Sequence, residues 1–291
     1  MITNYKQRYA LLAIHEKYIF WNVFFFAISA ISMAIFGLFN IRLSLFRDLF
    51  WLSNSFSEFP FKPWTLFTYA FLHSGFWHLI SNMIGFYFFG RIFLTFYNDR
   101  QFQNIYWVGA IYAGLIFIIA YAVFPMFNNV NAVLVGSSGA MFAILFAATA
   151  KSPHYVLNLF GVLRLKLWVL SAVYTIFFLV SIDSPNAGGQ FAHLGGALFG
   201  YIASKQLDKG NNICRWFELV VDYFSGLFTK KSKLKVVHKS SSKPKRTYTN
   251  NESKTTEKQQ KIDAILDKIS KSGYQSLTKA ERNFLAKASE E

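Results

Sequence analysis

Ser138 stands in the run Gly136-Ser137-Ser138-Gly139, at the head of an apolar stretch whose next polar side chain, Thr149, lies just before Lys151. A hydroxyl is a weak nucleophile until a base takes its proton, and polar groups in apolar surroundings are costly unless they are paired. His193 has the chemistry of such a base, with an unperturbed pKa near 6.5. Acyl transfer also needs donors aimed at the developing oxyanion. His78 and Asn82 are four residues apart, share one helical face and offer a ring N–H and an amide N–H. Backbone N–H groups at the head of a helix, here around Gly136 and Ser137, have no intrahelical partners and add further donors. Ser138 as nucleophile, His193 as base, and His78, Asn82, Ser137 and Gly136 around the oxyanion make a hydrolytic set.

Glycines accompany these residues. Gly139 follows Ser138 and lets a backbone come close, while Gly196 and Gly200 form a Gly-x-x-x-Gly face one turn below His193. Small faces of this kind let membrane helices approach. Each feature has a plainer reading when taken alone. Gly-Ser-Ser-Gly is also an N-cap, His193 an interior histidine, His78 a polar residue at a span mouth, and the glycine pair ordinary packing. The conjunction of complementary chemistry on separate helices favours a site. Cys214 is the one cysteine, no carboxylate lies near, and His73 and His78 are five apart and do not share a helix face. No metal and no cofactor is expected.

The elements that must position these residues are apolar. The 291-residue chain is 53% hydrophobic and 15% charged, against about 25% charged in soluble domains. A spanning helix needs about 20 apolar residues. Six stretches qualify as spans, near 18–40, 76–97, 104–124, 136–150, 166–182 and 190–204. Lys6, Arg8, Lys17, Arg100, Lys151, Arg164, Lys166 and the lysine-rich tail then fall on one side, the cytoplasm by the positive-inside rule. Arg42, Arg47 and Lys62 sit on the outer side, in an aromatic loop 41–75. The expected fold is all-α: a polytopic membrane protein with a six-helix bundle over 18–205, after a cytoplasmic N-terminus 1–17.

Two spans are short. Residues 136–150 and 190–204 are 15 residues each, about 22 Å at 1.5 Å per residue. That falls about 8 Å short of the hydrocarbon thickness. Non-helical backbone at that depth is tolerated where it lines a water-filled cavity, so an aqueous cavity opening outward is expected. Ser138 is 13 residues before Lys151 and His193 is 12 before Lys205, which puts the two at nearly one level. Ionisable residues at such depth point to function.

At these residues the chain resembles the rhomboid family of intramembrane serine proteases. His73 to Asn82, "HSGFWHLISN", is similar to the family's second-helix motif, and Pro63 to His73, "PWTLFTYAFLH", to the approach to that helix. "GSSG" (136–139) resembles the Gly-x-Ser-Gly nucleophile motif, and "AHLGGALFG" (192–200) the sixth-helix motif. The resemblance covers roughly 18–205 and looks like the bacterial type with a cytosolic C-terminal extension. It implies a Ser–His dyad without a carboxylate, Ser138 as nucleophile, His193 as base, His78 and Asn82 at the oxyanion, and Gly136 in the turn before the serine. It puts Phe142 against the catalytic histidine. It implies transmembrane protein substrates cut near their outer ends, and a multi-pass protein of a bacterial cell membrane with both termini cytoplasmic. Many members carry a Trp-Arg pair in the first outer loop. Here the comparable place is Trp64-Thr65, so that loop is anchored differently.

Two other classes stand beside the protease. A non-enzymatic chaperone or adaptor could use this fold to bind transmembrane segments, but the retained Ser138 and His193 favour the enzyme. A small-solute transporter predicts acidic or repeat-related polar residues deep in the spans, and no internal repeat is visible.

The tail is polar and basic: 19 of the 30 Lys and Arg lie in residues 205–291. Within 206–228, Trp216, Phe217, Val220, Val221, Phe224 and Leu227 fall at helical spacing, with Arg215, Glu218 and Asp222 opposite. This reads as an amphipathic helix at the membrane interface or as one packed on the body or another protein. Residues 229–253 read as a basic disordered linker, drawn to anionic lipid with no need of nucleic acid. Residues 254–291 read as a small helical hairpin divided at Gly273, with a capping box from Thr278 to Glu281.

Overall fold

The computed structural model describes residues 4–41, 44–159, 163–228 and 250–289. It opens with a short helix, α1 (Tyr5–Leu11), followed by the long apolar α2 (Ile14–Leu38). Glu16 accepts the Ala13 N–H at 2.8 Å and starts α2 four residues ahead of the expected Tyr18. Phe20, Trp21, Phe24, Phe25 and Ile28 stand exposed along α2, an apolar belt suited to lipid.

The loop 41–75 is built of short pieces: α3 (Ser44–Phe50), β1 (Leu52–Ser53), a 3-10 turn over Phe59–Phe61, α4 (Thr65–Thr68) and a second 3-10 turn over Tyr69–Phe71. Its anchoring needs no arginine beside Trp64. The Trp64 indole N–H donates to the Leu49 carbonyl at 2.7 Å, and Thr68 Oγ1 donates to Phe50 O at 2.7 Å. β1 pairs antiparallel with β2 (Val133–Leu134). The Asn54 side chain ties the same strands, donating to Val130 O at 2.7 Å and accepting from Ala132 N at 3.1 Å.

Five helices complete the bundle: α5 (Phe76–Leu94), α6 (Asp99–Val123), α7 (Ser138–Lys151), α8 (Leu167–Val180) and α9 (Ala187–Asp208). A hairpin of β3 (Val156–Leu159) and β4 (Leu163–Lys166) links α7 to α8; the sequence reading contains no such strands. α6 begins with a reciprocal capping box between Asn98 and Gln101, at 2.9 and 3.0 Å. α2 and α6, at 25 residues each, are long and apolar enough to cross a bilayer.

α7 is the centre, buried along nearly its whole length. It spans 14 residues, about 21 Å, as short as expected. α9 is not short. It has 22 residues, about 33 Å, because both ends of the expected span continue as helix. Gly188 belongs inside it: a Cβ there would meet Tyr121 at 2.6 Å and Phe117 at 2.7 Å. At Gly188, α9 presses on α6.

At one end of the bundle, Lys151 pairs with Asp208, and Lys205 Nζ donates to Ala150 O at 2.7 Å. α10 (Arg215–Phe228) sits beside the first turns of α6. Arg100 there meets Asp222 at 2.7 Å and Glu218 at 3.5 Å, and Glu218 also accepts from Asn104 and Asn212.

A second compact unit covers 231–291. Its described part is α11 (Asn250–Ser272) and α12 (Lys279–Ser289), joined through Gly273 at φ 75°. Lys268 Nζ reaches both Glu281 oxygens at 2.9 and 3.0 Å. α11 starts inside the stretch that reads as linker, and residues 229–249 of that stretch lie outside the described residues.

Candidate active site

Ser138 is the first residue of α7, and His193 lies in the first half of α9. Ser138 Oγ and His193 Nε2 are 2.7 Å apart, within reach for proton transfer. Two glycines permit this. A Cβ on Gly196 would fall 2.0 Å from the Gly139 carbonyl oxygen, and one on Gly200 would fall 2.0 Å from that of Ala143. α7 and α9 therefore run parallel with their backbones in contact. On the other face of α7, a Cβ on Gly139 would lie 2.5 Å from the Ala113 Cβ of α6.

The imidazole of His193 is held by rings rather than by a carboxylate. Phe142 and Phe178 each pack with centroids 4.9 Å from it. Nδ1 has no hydrogen-bond partner among the described residues. Phe142 is where the sequence places it. Phe178 is not foreseen; the Tyr174/Phe178 spacing marks a helical face, but nothing in the sequence aims that face at His193.

The other candidates are sorted differently from expectation. Ser137 stands at the N-cap position of α7 but makes no side-chain cap. Its hydroxyl is wholly buried, 3.4 Å from His73 Nε2 and 3.3 Å from Asn82 Oδ1. The plain N-cap reading of Gly-Ser-Ser-Gly therefore fails, and the first-turn N–H groups of α7 stay uncapped beside Ser138. Asn82 is buried, and its Nδ2 donates to the His78 carbonyl at 2.7 Å, so one amide N–H expected at the oxyanion is engaged within α5. The Gly136 N–H is also engaged, by Tyr69 O at 3.0 Å, which removes it from the expected donors. That Tyr69 phenol in turn donates to Ala110 O at 2.6 Å; no sequence signal points to this support.

His78 is the partly exposed member of the donor set. Its Nδ1 lies 2.9 Å from Ser74 Oγ and accepts the Ser74 N–H at 3.4 Å. An accepting Nδ1 leaves the proton on Nε2. Nε2 faces Gly136: a Cβ there would lie 2.8 Å from it and 3.7 Å from Ser138 Oγ. Gly136 also has φ 119°, in the left-handed region that disfavours side chains. The turn and the approach of His78 both require glycine. His73, expected apart from His78, packs against it with centroids 5.1 Å apart, because the chain bends between Leu72 and Gly75 before α5 begins. Among the described residues no cluster of three His, Cys, Asp or Glu suits a metal.

The domain profile described as Rhomboid domain matches residues 60–207, half of the chain and all of these residues. The chain belongs to the rhomboid family. Rhomboid protein 1, mitochondrial, of Saccharomyces cerevisiae (strain ATCC 204508 / S288c), is 29% identical over 197 residues, 63% of this chain and 54% of that protein. RHOMBOID-like protein 12, mitochondrial, of Arabidopsis thaliana is 29% identical over 163 residues, covering 50% of this chain and 47% of that protein. RHOMBOID-like protein 1 of Arabidopsis thaliana is 27% identical over 148 residues, covering 48% and 33%. The chain thus spans about half the length, or less, of the curated relatives it matches. The fold is that of a helical membrane bundle with a rhomboid domain. Residues 249–291 match a family of unknown function, DUF6576, over the hairpin of α11 and α12.

Proposed function

We propose that this rhomboid is an intramembrane serine endopeptidase that hydrolyses peptide bonds in or near transmembrane segments of protein substrates. The observation that carries the reading is the 2.7 Å approach of Ser138 Oγ to His193 Nε2, made by helices whose glycines are needed for it. In the reaction, Ser138 Oγ attacks the scissile carbonyl carbon while its proton passes to His193 Nε2. The oxyanion is met by His78 Nε2–H and by the uncapped N–H groups at the head of α7. Collapse of the tetrahedral intermediate sends the proton from His193 to the leaving amine. Water then attacks the acyl carbon while its proton passes to His193, and as the ester bond breaks His193 returns that proton to Ser138 Oγ and the carboxylic product is released. The two phenylalanines hold the imidazole in place of a third polar group.

The short α7 supports a cavity in which water reaches this depth. Ser138, His193 and His78 are partly exposed, whereas Ser137, Asn82 and His73 are buried. With the basic ends of the helices in the cytoplasm, that cavity opens outward and both termini are cytoplasmic. The test is labelling of the purified protein by a serine-reactive fluorophosphonate, alongside cleavage of a model transmembrane substrate. Wild type should label and cleave, while Ser138→Ala and His193→Ala should do neither. Wild-type labelling in Ser138→Ala defeats the assignment.

A further inference from the structure

α10 is arranged in the reverse of a helix on a water-soluble body. Its two acidic side chains bond to protein: Glu218 meets Arg100, Asn104 and Asn212, and Asp222 meets Arg100. Its apolar side chains face away. Trp216, Leu219, Val220, Tyr223, Phe224 and Leu227 are each between 45% and 67% exposed. Phe217 turns inward to the core. Water disfavours such an outward face, and a contiguous apolar patch of this kind marks a surface that something covers.

We infer that the cover is lipid: the outward face of α10 lies in the headgroup–acyl boundary of the bilayer that holds the bundle. The level of the helix supports this. Phe217, Glu218, Val221 and Asp222 line one cleft with α6 residues from Asp99 to Trp107. From Asp99 to Trp107, α6 rises about 12 Å. α10 therefore runs beside the terminal turns of a helix long enough to cross the membrane, rather than beyond them. Only six residues, 209–214, separate it from α9, which holds its start to within about 20 Å of the end of that helix. Trp216 and Tyr223 are the aromatic types that gather at the interface. Arg100 holds the opposite side of the helix through Glu218 and Asp222. This anchor is independent of the catalytic reading, since neither Ser138 nor His193 takes part.

The test places a nitroxide label at Leu219→Cys, Tyr223→Cys and Leu227→Cys in turn. The protein is full-length, in phosphatidylcholine/phosphatidylglycerol vesicles. Cys214 is only 3% exposed; labelling is run with it retained and with Cys214→Ser, so a poorly folding background does not decide the result. A label at Lys271→Cys in the hairpin gives the water reference. Expected are collisions with dissolved oxygen exceeding those with a water-soluble nickel chelate, at a depth of about 5–10 Å. Three labels that match the Lys271 reference would overturn the proposal by placing the face in water. So would labels shielded from both reagents, or broadened by spin–spin contact between chains, which place protein or a second copy on the face.

Discussion

Gly196 and Gly139 meet backbone to backbone, with a Cβ on Gly196 2.0 Å from the Gly139 carbonyl oxygen. The separation of the two helices that carry Ser138 and His193 is set here, three residues past His193 and one residue past Ser138. Adding a methyl group must push α9 away from α7. A displacement near 1 Å at a reacting pair costs about 10²-fold in rate, while overpacking costs about 1–3 kcal/mol in stability. Gly196→Ala should therefore lower kcat by about a hundredfold or more, with a smaller effect on folding. Gly200→Ala, further from the dyad, should lose stability with less loss of kcat. The check is kcat and Tm for both variants in one detergent. Equal kcat in wild type and Gly196→Ala rules out this packing as the device that sets the dyad.

Ser137 and Ser138 are adjacent but face different partners. Ser137→Ala removes a buried hydroxyl shared with His73 and Asn82 and leaves the dyad intact. It should keep fluorophosphonate labelling and cleavage, with any loss appearing in Tm. Loss of labelling in Ser137→Ala at unchanged Tm would show that the wrong serine has been assigned.

His78 and Asn82 should separate by what they lose. His78 is partly exposed, and its ring is hydrogen-bonded only to Ser74 among the described residues. Removing one oxyanion donor typically costs about 10²–10³ in turnover, so His78→Ala should lower kcat by that much with Tm nearly unchanged. Asn82 is buried and bonded to both Ser137 and the His78 carbonyl. Asn82→Ala removes the acceptor of the buried Ser137 hydroxyl and leaves it only the 3.4 Å contact with His73, at a cost of about 1–3 kcal/mol, and should lower Tm and kcat together. Parallel measurement of both variants decides it: a Tm loss in His78→Ala as large as in Asn82→Ala makes His78 structural.

The candidate site residues are legible because polar types are scarce in apolar helices and because spacing relates Ser138 and His193 to charged helix ends. Ser138, His193 and His78 are of this kind, whereas Phe142 follows only from the resemblance to the family motif. Three features were not legible. The turn of Ser137 toward His73 depends on the bend before α5, which joins residues 64 apart in sequence. The Gly136–Tyr69 hydrogen bond and the packing of Phe178 on His193 are likewise made by helix placement, not by local pattern. The length of α9 was misjudged for a related reason. Glycine disfavours helix by propensity, and at Gly188 tertiary contact with Tyr121 and Phe117 overrides it.

Glu281 supplies a pH dependence in the hairpin. The Thr278 backbone N–H first, then Lys268 and the Thr278 hydroxyl, bring its carboxyl down to about 2. An unfolded glutamate titrates near 4.3. A depressed folded-state value means the stabilisation is complete above about 4.3 and is lost as pH falls toward about 2. Amide exchange across α11 and α12 in the full chain should show less protection below pH about 4, and Glu281→Gln should flatten that change. A Glu281→Gln protein with the wild-type pH profile would assign the dependence elsewhere.

The catalytic candidates and the six spanning helices all precede residue 209, and the chain divides into compact units at 230/231. The dyad, its two phenylalanines, the Gly136 turn and the α10 grip on Arg100 all belong to the first unit. A protein ending at Lys231 keeps each of them. Its kcat/KM on a model transmembrane substrate in detergent should stay within about tenfold of full length, which is about 1.4 kcal/mol in barrier. The tail should instead change behaviour in cells, such as abundance or partner choice. Measured side by side in one detergent, a larger drop in a truncated protein with wild-type Tm would show that the second unit supports the active site. A second truncation ending at Asn211 removes α10 as well. It leaves Arg100 without Asp222 and Glu218 and uncovers the core around Phe217, so it should lose Tm where the first truncation does not.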